Sequence, residues 1–331
     1  MRVAVVIVSW NSSEYVPRAL DALAGQTLAP ERTILVDNAS SDGTAALVRE
    51  RYPQIEVIEP GSNLGFAAGN NVGVAAARDC ELVALLNPDA FPEPGWLAAL
   101  VRAAEANPEH AFFGSRLMRD HDPEQIDGSG DLYHVSGLVL RRHHGLRLAH
   151  TPAALKPAET FSACAGAAAY RRAEFDGVGG FDASYGSYLE DADLAFRLRL
   201  AGHRGLYVPD SVVRHVGSVS TGVEGEYLVY HSARNLIWTW AKNMPWPLVL
   251  LYLPQHLAMN VATAAWFVMR GRGAAVLRGQ RDGLAGLPRV LRRRRRIQSA
   301  RRAGSRELRA LMTTGAGGRA DVLRRMRRPQ S

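Results

Sequence analysis

Val83-Ala-Leu-Leu-Asn-Pro-Asp89 decides the reading of this chain. A continuous apolar run that stops at Asn-Pro-Asp reads as a buried strand of a parallel sheet ending at its C-terminal edge. Open α/β sheets bind ligands at that edge. A lone carboxylate there can hold a hard cation, and the cation a diphosphate. The competing reading makes Asp89 the cap of a helix starting near Pro94.

Upstream, the same pattern repeats. Arg2–Ser9 is a β-branched strand, and residues 14–24 carry apolar positions at helical spacing. Thr33–Asp37 is a second strand ending in a carboxylate, and Ser40-Ser41-Asp42-Gly43 opens a helix over 43–51. Ile55–Ile58 is a third strand, followed by the small, amide-rich run Asn63–Asn71. Unbroken strand–helix alternation predicts βαβ units on a parallel sheet, hence an α/β fold.

Further motifs follow in order. They are Gly179-Gly180-Phe181-Asp182, Glu190-Asp191-Ala192-Asp193-Leu194 at a helix start, and His215 after a predicted strand over 205–208. Together with Ser9-Trp10-Asn11, Val36–Gly43, Asn63–Ala67 and Asn87-Pro88-Asp89, this series resembles the family 2 glycosyltransferases over roughly residues 3–240. The resemblance implies a GT-A fold. Many members carry Asp-x-Asp at the metal motif, whereas here the first position is Asn87. Within the family the likeness is closest to bacterial rhamnosyltransferases.

The resemblance assigns roles. Ser9, Trp10, Asp37, Asn63, Asn70, Asn87 and Arg234 are expected around the nucleotide or donor. A strand-end carboxylate such as Asp37 suits a pyrimidine N3–H, although an Asx-turn explains it equally from the residues alone. Asp89 and His215 are the expected ligands of a divalent cation, Mg²⁺ or Mn²⁺, which stabilises the charge of a departing nucleoside diphosphate. Asp191 is the expected general base and Glu190 an acceptor contact. One base and a metal-held leaving group imply a single displacement with inversion. The expected donor is a dTDP- or UDP-sugar, with L-rhamnose the sugar the likeness suggests. The expected acceptor is a polyprenyl-linked or cell-envelope glycan.

Composition divides the chain. From Arg270 onward there are 19 arginines against three acids, a net +16, while the whole chain is +8, so residues 1–269 carry −8. Residues 245–269 are apolar and long enough to span a bilayer, though broken by Pro254, Gln255, His256 and Asn260. Three segments are expected: a GT-A domain over 1–240, membrane-associating apolar or amphipathic helices over 241–300, and a basic, disordered tail over 301–331. Apolar helices beside Arg292–Arg296 suit an anionic membrane surface better than nucleic acid, and re-entrant interfacial helices better than a span. Two cysteines and a first strand that starts at once predict a reduced compartment and no signal peptide, hence the cytoplasmic face of the plasma membrane. Two other readings remain: a nucleotide-sugar-binding module that lost catalysis when Asn87 replaced an acid, and a nucleic-acid-binding protein driven by the basic tail.

Overall fold

The computed structural model describes residues 1–217 and 225–315. Its first half alternates as the sequence predicts. β1 (Val3–Ser9), α1 (Val16–Ala24), β2 (Arg32–Asp37), α2 (Thr44–Arg51), β3 (Glu56–Ile58), α3 (Gly65–Ala76) and β4 (Leu82–Leu86) follow one another. β5 (Ala90–Pro92), α4 (Trp96–Ala106) and β6 (His110–Arg119) come next. Then the elements shorten: β7 (Ile126–Gly128), β8 (Asp131–Tyr133), β9 (Val139–Arg141) and β10 (Ala158–Glu159). β11 (Ala167–Arg171), α5 (Arg172–Gly177), α6 (Glu190–Leu200) and β12 (Arg204–His215) complete the sheet.

The main path of the sheet runs β10-β12-β6-β11-β4-β1-β2-β3. β1 is parallel to both β2 and β4, whereas β11 is antiparallel to β4 and β6. Register aligns Ser9 with Asp37 and Ile7 with Leu86, so the chain leaves β1, β2 and β4 at one edge. α1, α2 and α4 cover one face through Leu20, Val48, Trp96 and Leu100. α3, α5 and α6 cover the other through Val74, Phe175 and Leu194. α3 lies unusually close to the sheet. A Cβ at Gly73 would stand 2.3 Å from a Val6 methyl, and one at Gly69 2.8 Å from a Val8 methyl. Glycine at these two positions is therefore what allows α3 to seat.

The C-terminal third departs from expectation. α7 (Glu226–Asn243) runs through the predicted boundary at 240. It is followed by α8 (Trp246–Met269), α9 (Gly273–Ala285), α10 (Leu287–Ser299) and α11 (Ser305–Ala310). These helices are not a separate appendage. Trp240, Leu248, Tyr252, Leu308 and Met312 share one core with Tyr133, Phe161 and Phe196 of the sheet-bearing part of the chain. Residues 301–315 are correspondingly ordered, which corrects the expected disorder there; 316–331 lie outside the described residues.

Two of the five consecutive arginines are also committed to the fold. Arg294 donates to the carbonyls of Ala241 and Met244, closing the end of α7, and Arg293 pairs with Asp182. Among the described residues, α8 is the one helix long and apolar enough to cross a membrane. Its buried side is set by Leu248, Val249, Tyr252 and His256, and the His256 ring stacks on Trp240 at 4.1 Å. At 100° per residue, Leu250, Leu257, Val261 and Val268 fall on the opposite stripe. All four are exposed, Leu250 by 75%.

Candidate active site

Where β1, β2 and β4 end, their loops are stapled together. Ser41 N–H donates to Asn11 Oδ1 at 2.8 Å, and Asn11 N–H donates to Ser40 Oγ at 2.9 Å. Asp42 accepts from the Ser13 and Thr44 backbone N–H groups. Burial pushes the Asp42 carboxyl up, but hydrogen bonds from Thr44 and Ser13 outweigh it and hold its pKa at about 2. The loops enclose a cavity of about 660 Å³ lined by Trp10, Asn11, Tyr15, Ser41, Asp42 and Asp89, among others. Half-exposed Trp10 offers it an aromatic edge.

Sequence-predicted residues divide around this cavity. Ser9 and Asp37 sit just beneath it, both buried. Asp37 accepts the Ser9 and Ser40 hydroxyls and the Ser40 N–H, so it braces the β2–α2 turn. Asn63 is exposed, and its Oδ1 accepts the Gly65 N–H at the start of α3. Asn70 is buried inside α3 and donates back to the Phe66 carbonyl at 2.9 Å, a bond that serves the helix. Arg234 donates to the Ser184 and Tyr185 carbonyls and lies over Trp238, so it anchors the loop ahead of α6.

Asp89 caps no helix. It lies between β4 and β5, with α4 beginning only at Trp96. β5 pairs antiparallel with the end of β12, and that register sets His215 opposite Ala90. His215 Nε2 therefore lies 3.6 Å from Asp89 Oδ1. Nearby in sequence, Asn87 Oδ1 is buried with no hydrogen-bond donor. One carboxylate and one imidazole fit a divalent cation that would take its remaining ligands from substrate phosphates. Among the described residues no group of three or more His, Cys, Asp or Glu gathers around one point.

The base candidate is built differently. Tyr188 and Leu189, directly before α6, both have left-handed backbone (φ 69° and 64°). Consecutive bulky residues there are strained, which marks a constrained site. Asn235 holds the strain: its Nδ2 donates to the carbonyls of Tyr185, Ser187 and Tyr188. Glu190 and Asp191 then emerge at the head of α6. Glu190 is 6% exposed, and its Oε2 has no partner. Asp191 accepts the N–H of Ala192 at 2.7 Å and that of Ala165 at 3.4 Å. Burial raises both carboxyls, Glu190 further because the Asp191 charge adds to it. A carboxylate made more basic by desolvation suits proton removal from an alcohol.

Three residues beside these were not foreseen. Asp131 is buried and accepts the Ser162 hydroxyl at 3.1 Å; burial and the Asp191 charge raise its pKa to about 7. Asp127 bonds His215 at 2.9 Å and Arg141 at 2.6 Å. Lys242, 1% exposed, bridges Asp182 and Asp193 at 2.7 and 2.8 Å. In sequence the two aspartates stand only in Asp127-Gly-Ser-Gly-Asp131, a short polar run that shows neither a strand nor a helix period.

Comparison with known proteins bears on the family and the fold. The family described as Glycosyl transferase family 2 matches residues 4–178. An N-acetylglucosaminyl-diphospho-decaprenol L-rhamnosyltransferase of Mycobacterium tuberculosis is 30% identical over 263 residues, covering 73% of this chain and 85% of that protein. Rhamnosyltransferase WbbL of Escherichia coli is 28% identical, covering 62% and 80% respectively. Among solved structures, GalNAc-T7 with UDP, GalNAc and Mn²⁺ superposes with a TM-score of 0.60 at 16% identity. That match covers 78% of this chain, which spans about half the length of GalNAc-T7. By the matched profile, the identity to these relatives and the shared fold, the chain belongs to glycosyl transferase family 2 and resembles its bacterial rhamnosyltransferases.

Proposed function

We propose that this glycosyltransferase moves L-rhamnose from a dTDP- or UDP-linked donor to a polyprenyl-linked glycan, with inversion, at the cytoplasmic face of the plasma membrane. The observation that carries the reading is the meeting of Asp89 and His215, from elements 126 residues apart, at the rim of the Trp10 cavity. The nucleotide occupies that cavity, its base toward Trp10 and the Ser9–Asp37 floor. A bound Mg²⁺ or Mn²⁺ supplies charge stabilisation to the departing diphosphate. Asp191 takes the proton of the acceptor hydroxyl, and Glu190 contacts the acceptor beside it. The M. tuberculosis relative is named for a decaprenol-linked acceptor, which supports the lipid-linked class here.

Loss of catalysis through Asn87 is the weaker reading, because Asn87 still presents a buried, unpartnered oxygen. The test is a screen of nucleotide-sugars read by nucleoside diphosphate release. The dTDP-rhamnose arm is expected to respond, and excess chelator to silence it. Asp89→Ala should weaken donor binding and turnover together, because the diphosphate loses its counter-charge. Full turnover in chelator sinks the metal reading.

The exposed stripe of α8 and the arginines of α9 and α10 support docking on an anionic bilayer, with α8 lying in the interface. One side of α8 is occupied by protein, so a lipid-surrounded span is disfavoured. The full chain should pellet with anionic liposomes at low salt and be partly released at high salt, since surface charges are screened. Retention on DNA but not on liposomes would favour the nucleic-acid reading.

A further inference from the structure

His215 is held from behind. β7 pairs antiparallel with β6, and β6 runs beside β12, so Asp127 is carried up to the histidine that ends β12. The His215 Nδ1 and Asp127 Oδ2 atoms are 2.9 Å apart, and both side chains are nearly buried. Arg141 Nη1 donates to the same oxygen at 2.6 Å, while His144 Nδ1 lies 3.4 Å from the other. With the Arg141 N–H already donated to it, Asp127 Oδ2 is an acceptor, so the group facing it at 2.9 Å is the donor and the proton of a neutral imidazole belongs on Nδ1. The Nε2 lone pair then faces Asp89, across a gap of 3.6 Å that is too long for a hydrogen bond.

We infer that Asp127 is a positioning residue that fixes the tautomer and ring orientation of His215 as a ligand to the divalent cation. Such carboxylate–histidine pairs raise ligand basicity, and their loss costs about 10–100-fold in metal affinity. Arg141 completes the arrangement by holding the Asp127 side chain in place through its 2.6 Å bond to Oδ2. It also donates to Cys164 Sγ at 3.2 Å, and its charge reaches Asp191, so one guanidinium serves both ends of the site.

The inference rests on the metal reading of Asp89 and His215, and one titration separates the two. Mn²⁺ binding to the full chain is followed by electron paramagnetic resonance with dTDP present. His215→Ala should weaken Mn²⁺ binding strongly. Asp127→Ala should weaken it about 10–100-fold, and excess Mn²⁺ should restore most of its turnover. Asp127→Asn, which retains an oxygen to accept Nδ1–H, should fall between Asp127→Ala and wild type, and it covers the case in which Asp127→Ala fails to fold. If His215→Ala loses Mn²⁺ while both Asp127 variants bind like wild type, Asp127 has no such role. A turnover defect in Asp127→Asn that excess Mn²⁺ leaves untouched overturns it equally. If wild type and His215→Ala bind Mn²⁺ alike, the metal reading of His215 itself is wrong.

Discussion

Asp191→Asn is expected to lower turnover by about 10²–10⁴-fold, the usual contribution of a positioned base, while donor binding stays near wild type. The amide cannot take the acceptor proton, yet its oxygen can keep the short bond from the Ala192 N–H, and only the longer one from Ala165, made to the other carboxylate oxygen, is lost. The donor cavity around Trp10 and Asp42 does not include it. Because burial raises the Asp191 carboxyl, wild-type kcat/KM should fall as pH drops through a midpoint above the ordinary carboxylate value. The variant's residual rate should lack that acidic limb. Stability should move the other way. A carboxyl whose folded pKa is raised contributes stability below its unfolded pKa and loses it as pH rises through the folded one. Replacing Asp191 removes that penalty at neutral pH, so the melting temperature should hold or rise. Wild-type turnover in the variant would show that the base lies elsewhere.

Lys242→Met should produce the largest loss of stability. Lys242 is 1% exposed and bridges two carboxylates, Asp182 at the end of the Gly-Gly-Phe-Asp motif and Asp193 on α6. Removing one partner of a buried ionic group typically costs about 3–5 kcal/mol, because charge remains without its counter-charge. Arg293 still reaches Asp182, while Arg197 and Asn243 still reach Asp193, which places the expectation near the lower end. Burial would raise both carboxyls, but Lys242 foremost lowers them. Their folded pKa values are depressed, so the stability they contribute is present at neutral pH and lost as pH falls through those values. The gap between wild type and Lys242→Met should therefore be widest near pH 7 and narrow below about pH 4. Urea unfolding at several pH values measures it; equal stability at pH 7 would show that the network is energetically idle.

Lys242 and Asp191 illustrate two kinds of legibility. Asp89, Asp191 and the parallel order of β1, β2 and β4 could be read from the sequence, because each depends on local periodicity. Apolar runs of period two or none end in a carboxylate at a strand edge, and an acidic pair heads an amphipathic helix. Asn70 shows where such reading ends: a small, amide-rich run has no local mark that separates a ligand contact from a side chain folded back on its own helix. Arg234 reads as a phosphate contact by its charge, and packing sets it on the carbonyls of Ser184 and Tyr185.

What only tertiary structure decided is who faces whom. Asp127 and His215 are 88 residues apart, and Asp127 rides on a three-residue strand with too few positions to show a period. Lys242 lies 60 residues from Asp182, and in sequence it reads as an ordinary helix-end lysine. The basic tail likewise read as a solvated or membrane-seeking run. Only the packing of α10 against α6 and α7 turned Arg293 and Arg294 into parts of the catalytic domain. By itself, the sequence determined the parallel run of β1, β2 and β4 and the acids at its C-terminal edge, since backbone period and strand ends are local properties. Tertiary structure alone chose the charged partners, because a buried charge is stable only beside a counter-charge or hydrogen bond, and chain distance does not restrict where that partner comes from.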